Sequence, residues 1–95
     1  MKGLSKHRNP DLIGKHAMKE FVSYLAKVLV NNPDEVEVLE IQGETTALIE
    51  LRVAKEDFGR VIGKRGRTAQ SLRTLIYAAA SRTNQRVIFE IVENK

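Results

Sequence analysis

Residues 51–76 read LRVAKEDFGRVIGKRGRTAQSLRTLI, and this stretch decides the fold. Its opening alternates as a strand would. Lys55–Ile62 then forms a short amphipathic helix, with Glu56 and Asp57 placed where a helix N-terminus favours acids. Gly63-Lys64-Arg65-Gly66 follows. A second helix is expected from about Arg67 to Thr83, with Ala69, Leu72, Leu75, Ile76 and Ala79 on one face and Asn84 at its end. Two glycines three apart are a weak signal alone. Between two helices, with cations at both central positions, they are a much stronger one.

Upstream, the spacing predicts an antiparallel hairpin within Glu35–Val53. Val36, Val38 and Ile41 supply its first arm, and Ala47, Ile49, Leu51 and Val53 its second. Gln42-Gly43-Glu44 makes the turn. The step from Val38 to Leu39 breaks alternation and reads as a bulge, leaving Glu37, Glu40, Glu50 and Arg52 on the exposed faces. Before the hairpin, Phe21, Val22, Leu25, Val28 and Leu29 recur at helical steps from Met18 to Asn31. Asn32 ahead of Pro33 closes that helix. Downstream, Val87, Phe89 and Ile91 alternate with Ile88, Glu90 and Val92 in a last, largely buried strand.

The order is helix, strand, strand, helix, helix, strand. A strand that rejoins its sheet after a helical crossover pairs in parallel. The expected architecture is therefore α+β, a three-stranded mixed sheet with three helices on one face. Residues 1–17 are basic, carry Gly3, Pro10 and Gly14, and show no sustained period. They read as a flexible N-terminal arm before a domain spanning 18–95.

The glycine loop suits a phosphodiester backbone. Glycine lets a strand approach the chain closely, and the helix opening at Arg67 aims unpaired N–H groups and its positive end at the same place. Lys64 and Arg65 add charge directly, with Arg60 and Arg67 flanking. Such contacts set register and leave base reading to a neighbouring groove. Val61 and Ile62 are the first candidates for its wall, although one of the two belongs to the core. Gln70 and Arg73 extend the same face along the second helix, or form a plain solvated surface.

The chain has 95 residues, 42% hydrophobic and 29% charged, with a formal net charge of +4. That is enough for one modest core. The charge is unevenly placed: Arg60–Arg67 holds four cations and no acid. There is no cysteine, so disulfides, thiolate metal sites and cysteine nucleophiles are excluded together. No apolar run reaches the roughly 18 residues of a membrane span, and the N-terminus lacks the apolar stretch of a signal peptide, which places the protein in the cytoplasm.

Catalysis finds no constellation. His7 and His16 both fall in the arm without a partnered acid or hydroxyl, and no cofactor or metal is implied. A P-loop needs G-x-x-x-x-G-K followed by Ser or Thr, whereas Gly59-x-x-x-Gly63-Lys64-Arg65 is one residue short and lacks the hydroxyl. Three Phe, two Tyr and no Trp leave no aromatic platform of the kind an RRM or OB-fold presents.

Val61-Ile62-Gly63-Lys64-Arg65-Gly66, within this order of elements, resembles the K-homology (KH) domain, whose GXXG loop clamps about four nucleotides. The helix and strand ahead of the core resemble the type II arrangement. With NPDEVEV before the hairpin and residues 51–76 as quoted, the chain is similar to the bacterial KhpA family of small RNA-binding proteins over about Met18 to Glu93. The resemblance implies single-stranded RNA binding through Gly63, Lys64, Arg65 and Gly66, in an RNA chaperone or post-transcriptional regulator. It also implies self-association, pairing with a larger KH-containing protein, and a role linked to cell elongation and shape. Lys55, where many relatives are expected to carry proline, and the N-terminal arm depart from the pattern; neither touches the loop. Two other readings use the same residues. One is a protein-interaction module that dimerises around an exposed Ile62. The other is a ribosome-associated assembly factor that applies the loop to ribosomal RNA.

Overall fold

The structure, a computed structural model, describes residues 10–82 and 85–94. Helix α1 spans Pro10–Leu29, strand β1 Glu37–Gln42, strand β2 Thr46–Val53, helix α2 Lys55–Ile62, helix α3 Arg67–Ala80 and strand β3 Arg86–Glu93. The sheet order is β1-β2-β3. β1 pairs antiparallel with β2, and β2 pairs in parallel with β3. This is the α-β-β-α-α-β order of the type II KH fold, with α+β architecture and all three helices on one face of a mixed sheet.

The central strand explains the core. Ala47, Ile49, Leu51 and Val53, every second residue of β2, are buried, as the two-residue period of a pleated strand demands. Val22 and Ala26 of α1, Val61 of α2, Leu72 and Ile76 of α3, and Phe89 of β3 meet them there.

Several sequence expectations are corrected. α1 begins at Pro10, eight residues ahead of Met18, where the helical period was expected to open. Proline fits the first helical turn, where its missing N–H has no intrahelical partner to lose. Residues 1–9 lie outside the described residues, as do Thr83 and Asn84, where α3 was expected to close; α3 ends at Ala80. No bulge interrupts β1: Glu37–Gln42 pairs continuously with Ala47–Arg52. Uninterrupted alternation turns Leu39 and Ile41 to the open face, 46% and 53% exposed, and turns Glu40 to the helix side beside Val38. β3 is an edge strand with only Phe89 fully buried, because its second face meets no helix. Val28 on α1 and Leu75 on α3 are exposed. The lines that touch the sheet are Val22–Ala26 and Ala69–Leu72–Ile76–Ala80, and these two leucine- and valine-bearing positions fall beside them.

Asp57 has a role that its position in a first helical turn did not suggest. Its side chain is fully buried. One carboxylate oxygen accepts the Asn31 N–H at 3.0 Å; the other accepts the N–H of Asn32 at 3.0 Å and its side-chain amide at 3.0 Å. The carboxylate thereby clasps the start of α2 to the chain leaving α1. Burial acts to raise its pKa, but the hydrogen bonds from the Asn31 N–H, the Asn32 amide and the Asn32 N–H, with the nearby charge of Arg60, outweigh burial and hold it below the ordinary carboxylate value. A lowered folded pKa stabilises the fold above the ordinary value, and the contribution is lost as pH falls through the lowered one. Asp57→Asn removes acceptor capacity and points a donor at N–H groups. The variant is expected to melt roughly 5–15 °C lower at pH 7, and the gap to the wild type should narrow as pH falls below about 4. Thermal melts across pH check both.

Candidate nucleic-acid interface

α2 ends as Gly63 N–H donates to the Gly59 carbonyl at 2.8 Å. A single 3-10 turn over Lys64–Gly66 then leads straight into α3. Gly66 N–H donates back to the Gly63 carbonyl at 3.0 Å, and Arg67 N–H to the Lys64 carbonyl. The turn is closed by the backbone alone, so its side chains are free for other work.

The two glycines serve different ends. Gly63 has φ +81°, and a Cβ there would lie 2.7 Å from Thr68 Cβ, 2.8 Å from Thr68 N, and closer still to Thr68 Oγ1. The first turn of α3 packs onto the bare backbone of Gly63, and no side chain fits between. Gly66 has φ +74°, and nothing lies within 4 Å of where its Cβ would be. It leaves open surface at the helix start, where a phosphate could approach. Arg65, at φ 57° and ψ 25°, is the one non-glycine residue in the left-handed region among those described; for most side chains such a conformation is unusual.

Arg60, Lys64, Arg65 and Arg67 are all exposed. Among the described residues the one ion pair is Arg52 Nε to Glu50 Oε1 at 3.0 Å, so none of these four cations is neutralised by a carboxylate contact. Val61 is fully buried in the core, while Ile62 beside it is half-buried. Of the two, Ile62 has surface to offer a ligand. Gln70 is exposed one turn along α3. Arg73 is half-buried, its guanidinium carbon 5.9 Å from the centroid of the Phe89 ring, which ties the α3 side of the site to the β3 edge by a cation–π contact.

Two residues that shape the site escaped the sequence reading. Thr68 was read only as part of a helix, although a small β-branched residue five positions after a glycine in a tight helix–turn–helix is the kind that packs on it. Asp57 was read as dipole charge. The pairing of a first-turn aspartate with Asn31 and Asn32, whose N–H groups follow a helix end just ahead of Pro33, was the available signal.

A sequence profile described as "KhpA/KhpB, KH domain" matches residues 19–91. The chain belongs to the KhpA/KhpB KH-domain family. Curated relatives agree. The chain is 53% identical over 78 residues to "RNA-binding protein KhpA" of Chlamydia pneumoniae, covering 82% of this chain and 100% of that protein. It is 57% identical over 75 residues to the protein of that name from Caldanaerobacter subterraneus subsp. tengcongensis, covering 79% and 100%. To that of Aquifex aeolicus it is 49% identical over 77 residues, covering 81% and 98%. No solved structure matches the chain significantly. The stretch matching the KhpA/KhpB KH domain contains every candidate residue from Arg60 to Arg73. Among the described residues no group of three or more His, Cys, Asp or Glu could hold a metal ion, and no helix is long and apolar enough to cross a membrane.

Proposed function

We propose that this chain binds single-stranded RNA without catalysing a reaction on it. The observation that carries this is the loop: two exposed cations flanked by two more, none in an ion pair among the described residues, around a glycine whose missing side chain leaves the helix start open. Gly63 and Gly66 shape the turn. Lys64, Arg65, Arg60 and Arg67 neutralise phosphates, and the first-turn N–H groups of α3 donate to them. Ile62, Gln70 and Arg73 lie where unstacked bases would follow. Relatives at about half identity carry the name RNA-binding protein, which supports the same ligand.

A single strand is favoured over a duplex because the cations converge on one short turn and do not spread along a face able to span successive grooves. Nor does the open sheet face offer a stacking platform: its large residues are Leu39, Ile41, Leu48 and Ile88, with no aromatic among them. Cytoplasmic location, self-association, a larger KH-containing partner, RNA chaperoning and a link to cell shape belong to this reading as consequences of family likeness.

The test is fluorescence anisotropy of a labelled single-stranded RNA over a salt series, beside a duplex of the same sequence. With two to four phosphates neutralised, log K should fall against log salt with a slope of about −1.4 to −2.8. The single strand should bind at least about tenfold tighter than the duplex. Equal affinity for both, or a slope near zero, would sink the proposal.

A further inference from the structure

The loop cations meet phosphates and read no base, so a base preference has to come from what lies beyond them along α3. Gln70, Arg73 and Tyr77 are spaced three and four apart and share one face of that helix. Arg73 shows which face it is. Its guanidinium carbon lies 5.9 Å from the centre of the Phe89 ring, so this flank overlooks β3, an edge strand.

Tyr77 stands one turn past Arg73. With β3 starting at Arg86, soon after α3 ends at Ala80, helix and strand run in opposite directions. Four residues forward on α3, about 6 Å, therefore match two residues back on β3, about 6 to 7 Å, from Phe89 to Val87. Val87 shares the helix side of its strand with Phe89 and is half-buried. Tyr77 is 43% exposed, and an open aromatic ring beside a half-buried aliphatic is a surface on which a base can stack. The donors are at hand. The Phe89 ring holds the Arg73 head group through its charge, and no hydrogen bond or ion pair among the described residues takes up its N–H groups. α3, RTAQSLRTLIYAAA, carries no acid, so a base stacked on Tyr77 meets donors and no carboxylate of that helix.

We infer that Tyr77 and Arg73 form a base-reading subsite that takes guanine. The Tyr77 ring carries the base, and the planar fork of Arg73 donates to its O6 and N7, the adjacent pair of acceptors that an arginine matches in two hydrogen bonds. Adenine is rejected there: its N6 amino group, a donor, replaces O6 and faces the donors of Arg73. A pyrimidine covers less of the ring and stacks more weakly. The inference rests on the RNA reading and adds to it. The loop gives affinity without base identity, and this pair gives base identity one to two turns further along the same helix.

The test uses labelled oligouridines with one guanosine, adenosine or cytidine placed at successive positions, titrated by anisotropy at a fixed salt near 0.1 M. The best-placed guanosine should bind at least about fivefold tighter than any other base in its place. Inosine, which keeps O6 and N7, should match it, whereas 7-deazaguanosine, which lacks the N7 acceptor, should lose most of the gain. Arg73→Lys keeps the charge but not the fork; it should bind all these strands alike with the wild-type salt slope. Tyr77→Phe keeps the ring and should match the wild type, and Tyr77→Ala should weaken every strand about fivefold or more. Both side chains reach solvent, so the variants should fold, which circular dichroism checks. A wild type without a guanosine preference, a preference that survives Arg73→Lys, inosine that binds like uridine, or Tyr77→Ala that binds like the wild type overturns the inference. Strands that bind the wild type but not the Lys64→Asp, Arg65→Asp variant leave the RNA reading standing in each of those cases. No binding of any strand removes both.

Discussion

A Lys64→Asp, Arg65→Asp double variant is expected to lose about 100-fold in affinity for single-stranded RNA near 0.1 M salt while keeping its thermal stability. Each lost charge-assisted contact to phosphate is worth roughly 1.5–3 kcal/mol, so two remove at least about 3 kcal/mol and add repulsion. The fold should not notice. Both side chains are exposed, neither has an ion-pair partner among the described residues, and the turn is closed by backbone hydrogen bonds. Arg65 sits at φ 57°, a region where aspartate is several-fold enriched over most residues, so the substitution there eases the backbone. Anisotropy titrations with paired thermal melts check both halves. Equal RNA binding by the double variant and the wild type would show that the loop is not the grip.

The two glycines should differ sharply on replacement by alanine. Gly63→Ala is expected to cost about 3–5 kcal/mol and to lower Tm by roughly 15–30 °C. Its φ of +81° strains any side chain, and the new Cβ would overlap Thr68, whose helix cannot retreat without moving Leu72 and Ile76 in the core. Gly66→Ala meets only the strain of a positive φ, about 1–2 kcal/mol, since nothing lies within 4 Å of the added carbon. Its larger effect should be on RNA, because the methyl group occupies the approach to the helix start. Melts and RNA titrations of the two variants check this; similar losses of stability in both would contradict the packing of Thr68 against Gly63.

The order of elements and the loop were legible in sequence because each rests on a local signal. Helical period, strand alternation, Asn32 before Pro33 and two glycines three apart can be read without knowing what packs where. What was misread depends on neighbours. Whether Leu39 and Ile41 face in or out follows from continuous pairing with β2, and their hydrophobicity wrongly suggested a bulge. β3 alternates two apolar sets and so resembles a buried strand, yet it lies at an edge with one face open. The choice between Val61 and Ile62 needed the direction of the core. Asp57 required a partner 25 and 26 residues away in sequence, which no local pattern reveals.

The parallel pairing of β2 with β3 also sets the order in which this molecule can come together. The β1–β2 hairpin closes through a short turn, whereas every β2–β3 pair joins residues about forty positions apart. Long loops close late, because their entropy must be given up before any contact rewards it. α2, the glycine loop and α3 all lie within that loop, and Phe89, which Arg73 covers and the core requires, arrives only with β3. During synthesis, residues 51–80 can emerge and form helices without the site existing. The proposed RNA site is completed only when β3 has left the ribosome and docked, so a chain that lacks β3 carries the cations without the packing that sets α2 and α3 against the sheet.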